Sequence, residues 1–147
     1  MASRISAPLR RLVESRAERV CEYCLIHADD AYVGCQLDHV ISEKHGGPTV
    51  LENLAFACAY CNRQKGSEVG STAKATGEFV RLFNPRTDFW SAHFRLVGVR
   101  FAWRTAVGEA TIRLLKLNDP LRIEERQTLK RNGKYPSAAA MKRIKRT

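Results

Sequence analysis

Residues 35–67 read CQLDHVISEKHGGPTVLENLAFACAYCNRQKGS, and the reading of this stretch decides the fold. Leu37, Val40 and Ile41 are apolar, and Gly46-Gly47-Pro48 brings turn chemistry, so the start reads as a short strand running into a loop. Asp38 and His39 stand side by side within it. Successive strand residues face opposite sides of a sheet, so a carboxylate and an imidazole there share one site only where the strand twists, bulges or ends. Residues 51–57 are apolar again and lead into Cys58-Ala-Tyr-Cys61, the start of a short helix ending by Gly66.

A second pair, Cys21-Glu-Tyr-Cys24, lies upstream. A two-residue gap lets both sulfurs of a knuckle face one ion, and two knuckles complete a tetrahedral site for structural zinc. The alternative, a redox C-x-x-C, lacks the βαβ setting it requires. Between the pairs lie 33 residues, more than the roughly 15–20 of the simplest ribbon pattern. A whole element is therefore inserted between the knuckles, and it carries Asp38 and His39. With four thiolates the zinc has no open position and does no chemistry itself. Cys35 is left over and reads as a small buried thiol.

Asp38-His39, Gly46-Gly47, Asn53-Leu54 and Cys58-x-x-Cys61-Asn62-x-x-Lys65-Gly66 occur in the order of a known pattern. Residues 18–67 resemble the HNH endonuclease family, in particular its four-cysteine, zinc-stapled branch of small stand-alone bacterial proteins. The resemblance implies an α+β fold built on a ββα-metal (HNH/His-Me) finger with a four-cysteine structural zinc site. It implies His39 as general base, Asp38 as a metal ligand, Asn53 as the brace of the loop, and Asn62 as second ligand at the motif's final position. Asn62 stands where the family name has His; carboxylate plus amide is an all-oxygen pair that favours Mg2+ or Mn2+. Lys65, His45 and Arg63 are candidate substrate contacts, with solvated surface the competing reading for Lys65.

The flanks are basic. Residues 80–147 hold 16 Lys and Arg against 5 Asp and Glu, residues 1–19 hold 5 against 2, and residues 20–79 hold 4 against 8, within a net charge of +10. Basic flanks suit a polyanion. The division read from the sequence is a basic N-terminal helix (1–19), the nuclease module (20–67), a small polar linker (68–79), a basic extension (80–135) and a basic, frayed tail (136–147). Within the extension, 93–104 alternates on both sides of Gly98 as a β-hairpin or a bent strand, and 105–117 and 120–132 read as helices. Phe89, Trp90, Phe101 and Trp103 read as packing, with base-stacking platforms the competing reading, and Arg81, Arg86, Arg95, Arg100, Arg104 and Arg113 as a candidate phosphate-tracking surface.

No run of about 18 apolar residues occurs, and the charged N-terminus lacks the apolar core of a signal peptide, so a cytoplasmic protein without membrane contact is expected. The function these features imply is metal-dependent endonucleolytic hydrolysis of DNA, with RNA the other candidate. The products would be 5′-phosphate and 3′-hydroxyl ends, and the protein a monomer or homodimer. The competing reading is a non-catalytic zinc-ribbon module that binds nucleic acid.

Overall fold

In the computed structural model, which describes residues 5–147, the cysteine-bearing segment folds as two antiparallel strands and a helix. β1 (Cys35–His39) pairs with β2 (Leu54–Cys58), and α2 (Ala59–Lys65) follows β2 directly. Every residue of β2 is buried, because the strand is covered on both faces. Leu54 and Phe56 pack with Val13 and Ala17 at α1 (Ala7–Arg16), while Ala55 and Ala57 belong to the larger core on the other side. The period-2 alternation of a strand thus divides one apolar run between two clusters.

α1 starts at Ala7, with Ser6 accepting a hydrogen bond from the Leu9 N–H and Pro8 in the first turn. It stops at Arg16, short of the expected residue 19, because Glu18 and Arg19 take left-handed backbone angles (φ 53° and 60°). That reversal turns the chain into the first cysteine pair. The apolar residues within 31–41 also read from the sequence as a hairpin of short strands, and none forms there. Only 35–39 are strand, and their partner is β2, beyond a loop of residues 40–53.

Downstream, β3 (Gly70–Thr72) pairs with β4 (Phe79–Arg81). The small polar stretch around Gly66–Gly77, read from composition as a connection, therefore contains a strand. Gly70 is required there, because a Cβ at that position would lie 2.6 Å from the Val80 backbone oxygen. α3 (Trp90–His93) leads into β5 (Phe94–Val97), which pairs across the Gly98 turn with β6 (Arg100–Trp103), as the alternation predicts. α4 (Ala106–Leu114) packs on β6, β3 and β4, and α5 (Pro120–Arg131) follows, started by Asp119 and Pro120.

The expected frayed tail is instead α6 (Ala138–Lys145). Ser137 caps it by accepting from the Ala140 N–H, the alanines favour helix, and Ala140 and Ile144 pack on the core. Trp90, Phe94, Phe101, Phe83 and Tyr23 form a chain of ring contacts with centroids 5.2–6.3 Å apart. Trp90 and Phe101 are packing residues as expected. Trp103 and Phe89 are not, being 58% and 48% exposed. No helix among the described residues is long and apolar enough to cross a membrane.

Candidate active site and metal centre

The two C-x-x-C turns converge. The four sulfurs of Cys21, Cys24, Cys58 and Cys61 lie within 4.8 Å of one another, all on buried residues. In each turn the second cysteine's N–H points at the first sulfur, at 3.5 Å for Cys24 to Cys21 and 3.4 Å for Cys61 to Cys58. Zinc–sulfur bonds of about 2.3 Å place tetrahedral sulfurs about 3.8 Å apart; Cys24 Sγ and Cys58 Sγ are 3.7 Å apart. The residues present fit a zinc ion held by four thiolates. Cys35 lies opposite Cys58 in the β1–β2 register but outside this cluster; it is half-buried, and burial pushes its thiol up to about 12.

A cation from α5 sits on the sulfurs. Arg122 places Nη1 3.7 Å from Cys58 Sγ and 3.9 Å from Cys61 Sγ, and its guanidinium stacks 4.4 Å from the Tyr60 ring centroid. Burial alone would lower its pKa, yet the neighbouring cysteines hold it above the ordinary value. Four thiolates on one Zn2+ leave about two net negative charges, and a buried guanidinium offsets part of them.

A cleft of about 290 Å³ opens between the end of β1, the loop that follows and α2, and Asp38, His39, Glu43 and Asn62 line it together. β1 ends at His39, which is how adjacent residues come to border one space. Asp38 is 3% exposed; the Tyr23 hydroxyl donates to it at 2.7 Å, and Lys65 Nζ lies 3.1 and 3.2 Å from its two oxygens. Burial pushes its carboxyl above the usual range, although Lys65 and Tyr23 pull the other way.

Lys65 differs from both of its sequence readings. It is 1% exposed, neither on the surface nor placed for a phosphate, and also donates to the carbonyls of His39 and Val40 at 3.0 and 3.1 Å. These carbonyls lie where the ladder stops and need donors of their own. The last turn of α2 supplies one.

Asn53 is buried and fully engaged: Oδ1 accepts from the Ile41 N–H at 2.9 Å, and Nδ2 donates to the carbonyls of Ile41 and Pro48 at 2.9 and 2.8 Å. It closes the loop that follows His39. Gly47 permits that closure, since a Cβ there would lie 1.7 Å from the Ile41 oxygen. Asn62 Nδ2 donates to Gln36 Oε1 at 2.6 Å, which leaves its amide oxygen for the cleft. His45 and Arg63 are exposed and do not line the cleft.

His39 Nε2 lies 2.9 Å from Thr49 Oγ1, whose hydroxyl donates to Glu43 Oε1 at 3.3 Å. A hydroxyl has one proton. With that O–H directed at the carboxylate, Thr49 accepts from Nε2–H, and the Nδ1 lone pair of His39 is left to act as a base. Thr49 and Tyr23 carry no signal in the sequence. Glu43 does, standing four residues after His39.

A ββα unit with four clustered cysteines and a cleft lined by Asp38, His39 and Asn62 is compatible with an HNH ββα-metal fold. Residues 21–68 match the family model of the HNH endonucleases. No curated protein matches the chain, and no solved structure does.

Proposed function

We propose that the protein is an endonuclease that hydrolyses DNA phosphodiester bonds, leaving 5′-phosphate and 3′-hydroxyl ends, with structural zinc and one catalytic Mg2+ or Mn2+. The observation that supports this reading most is the shared cleft: Asp38, His39 and Asn62 line one space, and Asn53 braces the loop beside it. Asp38 and Asn62 would hold the cation; both offer oxygen, and the carboxylate keeps unused lone-pair positions beyond its bonds to Tyr23 and Lys65. A bound divalent cation supplies charge neutralisation at the phosphate and the leaving oxygen.

The chain's own residues do the rest. His39 Nδ1 takes the proton of the attacking water, and Thr49 and Glu43 hold the ring in the tautomer that makes this possible and stabilise it once it is charged. Asn53 fixes the loop that carries Glu43. Lys65 keeps the Asp38 carboxylate in place.

The test is nicking of supercoiled plasmid by the zinc-loaded protein with Mg2+ or Mn2+, beside His39→Ala. General-base removal costs roughly 10²- to 10⁴-fold. Equal nicking by both proteins would refute the assignment, as would cleavage supported by Zn2+ alone. A non-catalytic nucleic-acid-binding module is the second reading, and one observation favours it: the Lys65 ammonium already neutralises Asp38. Binding of plasmid without any His39-dependent nicking would select it.

A further inference from the structure

A second and larger cleft, of about 820 Å³, lies outside residues 21–68. It is bounded by the end of β6, by α4 and its C-terminal turn, and by residues 73–75 after β3. Trp103 lines it with most of its indole uncovered, at 58% exposure. The other tryptophan, Trp90, is core at 4%.

The charges around the indole are one-sided. Lys74, Arg100, Arg104, Arg113 and Lys116 line the cleft against Glu109 and Asp119. Glu109 is cancelled locally by Arg113 at 2.9 Å, and Asp119 is occupied in starting α5, accepting from the Leu121 N–H. Lys74, Arg100 and Lys116 are exposed and have no ion-pair partner among the described residues. An uncovered aromatic face inside a basic concavity matches unpaired nucleic acid: the base stacks on the ring and the phosphates meet the cations. A duplex fits poorly, because its base faces are already stacked.

We infer that this cleft binds a single-stranded or locally unpaired stretch of nucleic acid, with a base on Trp103 and backbone phosphates on Arg100 and Lys116. The inference deepens the proposed function and rests on it for the identity of the substrate. Ser67 borders the catalytic cleft and Lys74 borders this one. Seven residues of chain span at most about 25 Å, about seven base-pair rises of DNA.

The experiment titrates a ten-residue oligothymidylate into the zinc-loaded full chain, without added Mg2+ or Mn2+, while tryptophan fluorescence is followed. A ten-base-pair duplex serves as comparison. The single strand is expected to quench Trp103 and the duplex to quench far less. Trp103→Ala should weaken single-strand binding by roughly 5- to 150-fold, and Trp103→Phe should retain most of it. Replacing both Arg100 and Lys116 by Glu should lower the log–log salt slope by about 1.4, or about 0.7 for each phosphate no longer neutralised. An unchanged affinity in Trp103→Ala, with its melting temperature preserved, would overturn the inference, as would equal quenching by the duplex. Neither result touches the nuclease assignment, which stands or falls on His39-dependent nicking. Oligothymidylate binding that survives the loss of nicking activity would in turn sustain this cleft alone.

Discussion

Lys65→Met removes the cation paired with the buried Asp38 carboxylate. Lys65 is 1% exposed and Asp38 3%, so water does not replace the ammonium. Removing one partner of such a pair costs about 3–5 kcal/mol, most of it the penalty for the charge left behind. The carbonyls of His39 and Val40 lose a donor as well. Against a total stability of about 5–15 kcal/mol this is a large fraction, and for a chain of this length it corresponds to a melting shift of about 6–20 °C. Met preserves the length and apolar body of the side chain, so little of the loss is cavity formation.

The assay is thermal unfolding followed by circular dichroism at fixed zinc. Adding Asp38→Asn to Lys65→Met should return a substantial part of the loss, because the pair then leaves no bare charge. Mn2+ should stabilise Lys65→Met more than it stabilises the parent, since a cation at Asp38 takes over the role of the ammonium; at 100 times the dissociation constant this is worth about 2.7 kcal/mol. A Lys65→Met protein melting within about 2 °C of the parent, where about 6 °C or more is expected, would refute the buried pair. A double variant less stable than the single one would refute the charge argument.

Two further perturbations bear on the loop and on the C-terminal half. Asn53→Ala removes three hydrogen bonds and leaves the Ile41 and Pro48 backbone groups without partners; a loss of about 2–3 kcal/mol and faster amide exchange at Ile41 are expected, and unchanged exchange there would show that the loop holds itself. Asp88 is kept below the usual carboxylate range, against its burial, by hydrogen bonds from Arg81 and the Asn84 N–H. A lowered folded pKa gives stability that is complete above the ordinary value near 3.8 and is lost as pH falls through the folded value. Asp88→Asn should therefore melt about 3–6 °C lower at neutral pH, for a loss of about 1.5 kcal/mol. The gap should narrow as the pH falls below the ordinary value of 3.8, and a gap independent of pH would contradict this account.

What could be read from the sequence follows the range of the interactions. The cysteine knuckles and the Gly98 hairpin are local, and their spacing announced them. The Asp38-His39-Asn53-Asn62 series was legible because it recurs in a fixed order. Lys65 was misread because lysine is nearly always solvated; its burial depends on carbonyls 25 and 26 residues away. The strand β1 was placed, but its partner was not, since pairing across residues 40–53 leaves no periodic trace. Thr49 was invisible for the same reason: a threonine in a loop has no pattern, and only the fold brings it to His39.

The net charge was legible as a number but not as a distribution in space. Part of it is spent inside the protein. Arg126 is fully buried within the C-terminal half, donating to the carbonyls of Val99 and Leu117. Other buried and half-buried donors reach across to residues 21–68. Glu22, 1% exposed, accepts from the Phe56 N–H and is paired with Arg86 and Arg143. Arg122 faces the sulfurs of Cys58 and Cys61, and the Tyr135 hydroxyl donates to the Cys24 carbonyl at 2.8 Å. Arg86, Arg122, Tyr135 and Arg143 all lie C-terminal to residue 68, and their acceptors lie within residues 21–68. A chain cut at residue 68 would leave the Glu22 carboxylate without its arginines and the thiolates without their guanidinium, each an uncompensated charge in an apolar setting. The C-terminal half is thus the electrostatic complement of the four-cysteine cluster and of Glu22, and the cations that remain for a polyanion are the unpaired ones at its surface.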